Sequence, residues 1–328
     1  MTQPDPAALS GGPAAAAAAR VGRAGGLLGA LGLGSSLFVI FRLLETWRVT
    51  PATTSHEVSI LGEKLTYPAA NVGAVVVVAL AALGLVAAAR MAAGTVRELA
   101  ASRRMCRRLL AHGLGDLEDA LVFDDERPRA FCAGLLRPRV YVSTGLVAML
   151  DELALCAVLD HERHHARRHD PLRLAAGRVI AGALFFVPGI RDLAERQFTL
   201  VELGADESAM SAGPEHRSAL ARAMLSFAER SEPGDPTGIE PARVEHILGE
   251  PPSWRFPFLV CLSAGSVLAL LAAAGVLAGH VASGSASLAP PFLSRQPCVV
   301  ALAAIPALVG LVAVALRREL PFTGPMGS

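Results

Sequence analysis

The stretch "LDHERHHARRHDPL", from Leu159 to Leu172, contains four of the nine histidines in this chain of 328 residues. Its segment "HERHH" fits the pattern H-E-x-x-H, with His161 and His165 four positions apart. On an α-helix, residues i and i+4 lie on one face about 6 Å apart along the axis, so two imidazoles can converge on one ion. Glu162 lies one position further round and can reach a water molecule at that ion. The motif therefore predicts a zinc site with a general base beside it.

The other two histidines fit a metal site poorly. His169 is eight positions from His161, about 12 Å along a straight helix, which two Zn–N bonds of about 2.0–2.1 Å cannot bridge. His164 points about 100° away from His165, so we expect it to pack or to face solvent. A basic, solvated helix face is the competing interpretation of the stretch. Apolar residues recur at helical intervals before the motif, however, which favours a partly buried helix.

A second acidic motif can complete the site. A catalytic zinc needs three protein ligands and one open position. The segment "FTLVELGADESAM" (Phe198–Met210) places Glu202 and Asp206 on one face of a predicted helix. One carboxylate can bind the ion, and the other can accept a hydrogen bond from a ligand imidazole. Alone, such a pair is more typical of carboxylates near a helix N-terminus; together with H-E-x-x-H, it favours Glu202 as the third ligand.

The composition indicates a membrane protein. Hydrophobic residues make up 52% of the chain and the mean hydropathy is +0.45, which is high for a soluble domain. The net charge of +1 gives no reason to expect a nucleic-acid partner. The five cysteines show no paired spacing, so we expect free thiols. Four runs are long enough to span a bilayer as helices: Ala24–Phe41, Ala69–Ala89, Phe258–Gly279 and Cys298–Leu316.

Arginines indicate the topology and, with it, the domain organisation. They precede the first run and follow the second and fourth, so the positive-inside rule places both termini and the long central segment in the cytoplasm. The predicted fold is a mainly α integral membrane protein, with about four transmembrane helices around an α+β zinc protease domain that contains a small β-hairpin or sheet. The predicted boundaries are a disordered N-terminus (1–23), two spans with a short extracytoplasmic loop (24–91), the peptidase domain (92–256), two spans (257–318) and a tail (319–328).

Within the central segment, "ALVFDDERPRAFCAGLLRPRVYVSTGL" (Ala120–Leu146) predicts a hairpin or two short strands. A helix is expected from Val147 to His169, and others at about 191–211 and 215–230. Residues 174–190 are apolar but interrupted by Arg178, and are too short to span, so a buried or membrane-surface helix is expected there. Residues 231–257 contain six prolines and are predicted to be a linker.

H-E-x-x-H followed by E-x-x-A-D resembles the gluzincin group of membrane zinc metallopeptidases. That group includes the HtpX/Ste24-like M48 peptidases and the BlaR-like M56 peptidases. The stretch "AFCAGLLRPRVYVSTGLVAMLDELALCAVLDHERHHARRHDPLRLAA" looks most like the M56 branch. The resemblance covers roughly residues 90–256 and the arrangement of the flanking spans. It implies that His161, His165 and Glu202 bind one Zn²⁺, that Glu162 is the general base, and that Asp206 supports one of the ligands from behind. Asp170 matches an Asp that frequently follows the motif.

The resemblance also implies a substrate-binding strand, because an extended peptide can add to a sheet edge by main-chain hydrogen bonds. An ordinary surface hairpin is the alternative for this segment, which comprises Ala130, Phe131, Cys132, Ala133 and Gly134. A further oxyanion donor is usual in such enzymes, and His216 and Arg217 are candidates by residue type and position only.

The leading hypothesis is a zinc endopeptidase in a bacterial plasma membrane, which acts on protein substrates in regulatory proteolysis or membrane protein quality control. The alternative is a signalling or interaction protein with a non-catalytic, regulatory zinc; a membrane helper protein without a metal is a third. In the BlaR-like branch a penicillin-binding domain follows the last span, whereas about a dozen residues follow the fourth run here, so antibiotic sensing is not expected. The sequence does not predict the substrate, the activating signal or the oligomeric state.

Overall fold

The computed structural model describes residues 12–46, 55–60, 63–68, 72–230, 241–249 and 255–285. The chain divides into two compact units, one of Met1–Leu28 and Gly94–Leu262 and one of Gly29–Ala93 and Ser263–Ser328. The described helices are α1 (Pro13–Thr46), α2 (Val72–Ala111), α3 (Thr144–Met149), α4 (Glu152–Arg168), α5 (Asp170–Ala183), α6 (Ile190–Met210), α7 (Pro214–Arg230), α8 (Pro241–Ile247) and α9 (Phe258–Ser285). The strands are β1 (Ser55–Ile60), β2 (Glu63–Pro68), β3 (Gly113–Leu117), β4 (Ala120–Phe123), β5 (Ala130–Ala133) and β6 (Arg139–Ser143).

The sheet of the first unit has four strands in the order β3-β4-β6-β5. Strands β4 and β6 are parallel, whereas β3 and β5 pair antiparallel at the two edges. The register of β5 on β6 pairs Ala130 with Val142 and Ala133 with Arg139. Gly134 follows β5 with a φ of +106°, and a Cβ there would lie 2.5 Å from the Arg137 carbonyl oxygen, so the turn requires glycine. The predicted hairpin or strand pair is thus part of a larger mixed sheet.

The two faces of this sheet pack against different partners because side chains alternate along a strand. Val140 and Val142 of β6 belong to the main core, which also contains residues of α4, α6 and α7. Tyr141 points to the other face, where it clusters with Phe123 and with Leu109 of α2. Helix α4 packs against α6, α7 and strands β5 and β6, so it is the central element of this unit.

The helix predicted from Val147 to His169 is divided into α3 and α4. Asp151 is the N-cap of α4, and its side chain accepts a hydrogen bond of 2.7 Å from the Ala154 amide. Such a cap satisfies an otherwise unpaired amide and so begins a new helix. Helix α4 ends at His169, which adopts the left-handed conformation, and α5 begins immediately with Pro171 in its first turn. The two helices therefore meet at a sharp corner directly after H-E-x-x-H.

The prediction of disorder over residues 1–23 is wrong for residues 13–23, which form the first turns of α1. Residues 1–11 lie outside the described part. Ala14, Ala15 and Ala18 are at most 2% exposed, and a Cβ on Gly204 of α6 would lie 3.1 Å from the Ala15 Cα. Small side chains on both helices permit this close approach. This alanine-rich segment resembles a low-complexity sequence, yet it forms a helix because alanine is the strongest helix former.

The predicted linker 231–257 is also partly wrong, since residues 241–247 form α8. Residues 231–240 and 250–254 lie outside the description. Helix α8 packs against α6 and α7. The apolar segment 174–190 is not one helix: α5 ends at Ala183, and a turn precedes α6.

Two described helices are long and apolar enough to cross a membrane, Val78–Ala111 and Phe258–Leu277. They correspond to the second and third predicted spans. The first predicted span lies within α1, which is not one of these two, and the fourth (298–316) falls outside the described residues. In the second unit, β1 and β2 form an antiparallel hairpin from Ser55 to Pro68. The described part of the chain thus contains two candidate spans, and four spans stay a prediction.

Candidate metal centre

Helix α4 brings the two predicted histidine ligands together on its buried face. His161 is 6% exposed and His165 is 7% exposed. Their Nε2 atoms are 3.2 Å apart, so both rings direct the same nitrogen to one point. Glu202 of α6 faces them, with one carboxylate oxygen 3.5 Å from His161 Nε2 and the other 3.5 Å from His165 Nε2. The i, i+4 spacing and the packing of α4 on α6 create this cluster.

The three side chains fit a zinc ion. One atom from each lies within 4.8 Å of the others, and together they form a group that could hold a metal. Tetrahedral zinc with Zn–N and Zn–O bonds of about 2.0–2.2 Å has neighbouring ligand atoms about 3.3–3.5 Å apart. The distances of 3.2 and 3.5 Å agree with that spacing. Two imidazoles and one carboxylate are also a donor set typical of catalytic zinc.

A carboxylate lies behind each histidine, and an arginine holds each carboxylate. His161 Nδ1 lies 2.9 Å from an oxygen of Asp206, which is fully buried. Arg243 of α8 donates to both oxygens of Asp206, at 2.8 Å from Nε and 2.7 Å from Nη2. Its third nitrogen, Nη1, lies 3.2 Å from Glu202. Arg243 therefore connects Glu202, which faces both histidines, with Asp206, which lies behind His161.

The same arrangement supports His165. Its Nδ1 is hydrogen-bonded at 3.1 Å to Asp170, which is 2% exposed. Arg173 donates to the other oxygen of Asp170 at 2.6 Å. The sharp corner between α4 and α5 places Asp170 beneath the ring of His165. A carboxylate at the distal nitrogen of each imidazole fixes the ring orientation and leaves Nε2 free for a metal.

The charges of the cluster are strongly coupled. Burial would lower the pKa of His161, but Asp206 and Glu202 outweigh it and raise this pKa to about 10. Burial would raise the pKa of Glu202, yet His161, His165 and Arg243 lower it to about 2. The pKa of Asp206 is lowered in the same way, by His161 and Arg243 against the effect of burial. Glu202 and Asp206 are therefore ionised, and a cation that binds at His161 must displace a proton.

The chain is similar to known peptidases. A family model described as BlaR1 peptidase M56 matches residues 51–248, well over half of the chain. The chain belongs to the M56 peptidase family. It is also 34% identical over 71 residues to a protein named "Protease HtpX homolog" from Acidiphilium cryptum (strain JF-5). That match covers 21% of this chain and 25% of the relative, so the similarity extends over about a quarter of the relative's length. No solved structure matches this M56 peptidase.

Glu162, the second residue of the motif, is half-buried on α4. Helix α4 packs against β5. Burial raises the pKa of the Cys132 thiol on β5 to about 12, and the negative charges of Glu162 and Asp170 contribute to that increase. Cys132 is at the middle of an edge strand of intermediate burial. The predicted substrate strand of this M56 peptidase therefore packs against the helix that carries the glutamate predicted to act as base.

The other residues of the stretch lie outside the group that could hold a metal. Arg163 forms ion pairs with Glu118, Asp119 and Asp160, and so ties α4 to the turn between β3 and β4. His164 is 7% exposed, and burial lowers its pKa to about 4, so it packs as a neutral ring. His169 is exposed and adopts the left-handed backbone conformation at the corner between α4 and α5. The metal-binding group contains neither histidine, in agreement with the sequence analysis.

Arg243 is not among the predicted site residues, because it lies in the predicted linker. The only sequence signal was a short run, "PARVEHI", that can form a helical turn or two between proline-rich segments. Arg217, one of the two predicted oxyanion donors, lies near Gly249. A Cβ built on Gly249 would be 3.5 Å from the Nη1 atom of Arg217. Arg243 is the cation observed in contact with Glu202 and Asp206. The role of His216 and Arg217 stays a prediction.

Proposed function

We propose that this M56 peptidase is a zinc-dependent endopeptidase that hydrolyses peptide bonds of protein substrates. The observation that carries the proposal is the convergence of the two Nε2 atoms and the Glu202 carboxylate at 3.2–3.5 Å, with carboxylates behind both rings. His161, His165 and Glu202 would hold the ion. When bound, it would supply a Lewis acid that acidifies a water and polarises the scissile carbonyl.

Glu162 is the residue we assign to proton transfer. It takes the proton from the attacking water and returns it to the leaving amine, so one group acts first as base and then as acid. Its position next to His161 on α4 keeps it near the reaction without making it a ligand. Asp206 and Asp170 hold the rings of the histidines in place, and they accept hydrogen bonds from Arg243 and Arg173, respectively.

Strand β5 is where we propose the substrate binds. It is an edge strand, paired on one side with β6, so its outer edge can hydrogen-bond an extended peptide. A peptide added there would run beside Glu162, because β5 packs against α4. Recognition through the main chain accepts many sequences, which suits an enzyme that cleaves unfolded or extended segments of proteins.

The alternative is a regulatory zinc without catalysis. A structural zinc is normally closed by four protein ligands. Among the residues that the structure describes, the group that could hold a metal has three members. This donor count favours the catalytic interpretation, which requires one open position.

Two variants separate catalysis from metal binding. Glu162→Gln removes the base but leaves the three ligands intact, so zinc content should stay at the wild-type value while turnover falls by about 10²–10⁴-fold. Glu202→Gln weakens a ligand, so zinc content and turnover should fall together. The assay compares new protein N-termini in membranes of a deletion strain that carries wild type or either variant. A Glu162→Gln strain with the wild-type set of cleavages would leave the regulatory interpretation in place.

We further propose that the enzyme is a multi-pass protein of the plasma membrane, with both termini and the peptidase domain in the cytoplasm. The arginine distribution and the two apolar helices, Val78–Ala111 and Phe258–Leu277, support this proposal. A reporter fused at residue 60 should report the outer side, and a reporter at residue 120 the cytoplasm. An outer report at residue 120 would reverse the topology and change the class of accessible substrates.

A further inference from the structure

A cavity of about 600 Å³ lies in the first unit, and none of the three metal-binding side chains lines it. Its walls come from the N-terminal part of α1, from α5 and from α6. Val21, Ile190 and Leu193 are almost fully buried and form its apolar lining. This volume is within the range of cavities that bind small molecules, about 300–1,000 Å³.

The charged residues around the cavity all have one sign. Arg23, Arg168 and Arg173 line it, and no aspartate or glutamate of the described chain does. Arg23 is exposed, whereas Arg168 and Arg173 are partly buried. A guanidinium presents several N–H donors in a fixed plane and binds carboxylate and phosphate groups well. The cavity thus combines an apolar interior with a cationic edge.

A second observation also indicates a ligand. Gln197 of α6 lines the cavity and is 6% exposed. Its amide lies between two glycines: a Cβ at Gly22 would be 2.9 Å from Nε2, and one at Gly177 would be 3.1 Å from Oε1. Because Gln197 lines the cavity, its amide can hydrogen-bond to a polar group of a ligand.

We infer that this cavity binds an anionic amphiphile, with its acidic head at Arg23 and Arg168 and its hydrocarbon chain along Val21 and Leu193. Two sources share this chemistry, a free fatty acid and an anionic phospholipid. A charged carboxylate or phosphate without a chain would leave the apolar lining unused. A neutral lipid would leave the positive charge at the edge of the cavity without a counter-charge.

The position of Arg173 links the cavity to the metal centre. Arg173 lines the cavity and also donates to Asp170, the carboxylate hydrogen-bonded to His165. An acidic head near Arg173 would therefore lie two side chains away from a metal ligand. For the same reason Arg173 is a poor residue to substitute, because its loss would disturb the metal centre. The inference itself concerns binding and does not rest on peptidase activity.

The test uses the full chain in a non-ionic detergent and a fluorescent derivative of palmitate as the probe. The probe should bind saturably, one per chain. Palmitate or phosphatidylglycerol should displace it, and the stronger competitor identifies the source. Methyl palmitate and inorganic phosphate should not compete, because the first lacks the charge and the second lacks the chain. Displacement by methyl palmitate as strong as by palmitate would overturn the inference.

Variants then locate the site. The double variant Arg23→Gln/Arg168→Gln should weaken probe binding by roughly tenfold or more, since two charged hydrogen-bond donors are lost. Ala194→Trp, which fills the cavity, should abolish binding. Arg167→Gln is the matched control, because this exposed neighbour of Arg168 does not line the cavity. Zinc content, measured on the same samples, confirms that each variant is folded. Wild-type probe affinity in the double variant or in Ala194→Trp would refute the assignment.

Discussion

Asp206→Asn tests how much the buried carboxylate behind His161 contributes to the metal site. Asp206 is fully buried and surrounded by N–H donors: His161 Nδ1 at 2.9 Å, and Arg243 Nη2 and Nε at 2.7 and 2.8 Å. A carboxylate accepts both hydrogen bonds from Arg243 and presents an oxygen, not an N–H, to His161 Nδ1. Asparagine must direct its NH₂ group at one of these donors in either orientation. In the better orientation, the asparagine Oδ1 keeps the contacts with His161 Nδ1 and Arg243 Nη2. The hydrogen bond from Arg243 Nε and the negative charge are lost.

We expect Asp206→Asn to weaken zinc binding by about 10–100-fold, which is the usual effect of losing a partner behind a metal-bound histidine. That range corresponds to about 1.4–2.7 kcal/mol. Competition with a chromophoric chelator in detergent measures the affinity directly. Asp170→Asn should have a similar effect through His165. Asp192→Asn, an exposed carboxylate in the first turn of α6, is the matched control and should bind zinc like wild type.

Two results would refute this reasoning. If Asp206→Asn bound zinc with wild-type affinity, Asp206 would not orient His161, and the carboxylate would serve only the ion pair with Arg243. If Asp192→Asn weakened binding as much as Asp206→Asn, the effect would be one of general charge rather than of a contact behind the ligand.

Two further predictions test the surroundings of the site. Burial, Glu162 and Asp170 raise the pKa of Cys132 from 9.0 to about 12. Because only the thiolate reacts, Cys132 should react with iodoacetamide at mildly alkaline pH roughly a thousandfold more slowly than an unperturbed thiol. With the other cysteines replaced by alanine, Glu162→Gln should accelerate this alkylation. An unchanged rate would show that the charge of Glu162 does not act on Cys132 of β5. Gly204→Val should push α1 away from α6 at a cost of about 1–3 kcal/mol, seen as faster tryptic cleavage in the N-terminal helix and a lower unfolding temperature. Gly182→Ala, where a Cβ meets nothing within 4 Å, is its control; equal cleavage of the two variants would argue against the close packing of α1.

The part of the site that depends on helical spacing could be predicted from the sequence. His161 and His165 converge because any helix places i and i+4 on one face, and Glu202 and Asp206 share a face of α6 for the same reason. The elimination of His169 followed from distance along the helix axis. These inferences need only local geometry and the chemistry of zinc ligands.

The rest depends on contacts between segments that are distant in sequence. Arg243 reaches Asp206 from a helix of seven residues in a proline-rich region, and no periodic pattern indicates that contact. The N-terminal helix was misjudged because an alanine-rich segment has no strongly hydrophobic stripe. Its burial comes from the close fit of Ala15 against Gly204, which only the folded arrangement reveals. The parallel pairing of β4 with β6 likewise follows from how the strands fold back, and not from their own sequences.

The central claim is that His161, His165 and Glu202 form one metal site, and metal analysis of purified chains tests it most directly. Wild-type protein is expected to contain about one zinc per chain, as a site with one set of three ligands requires. His161→Ala and His165→Ala should lose the zinc, whereas His169→Ala, at an exposed corner residue outside the metal-binding group, should keep it. Full zinc occupancy in His165→Ala, or loss of zinc in His169→Ala, would contradict the account.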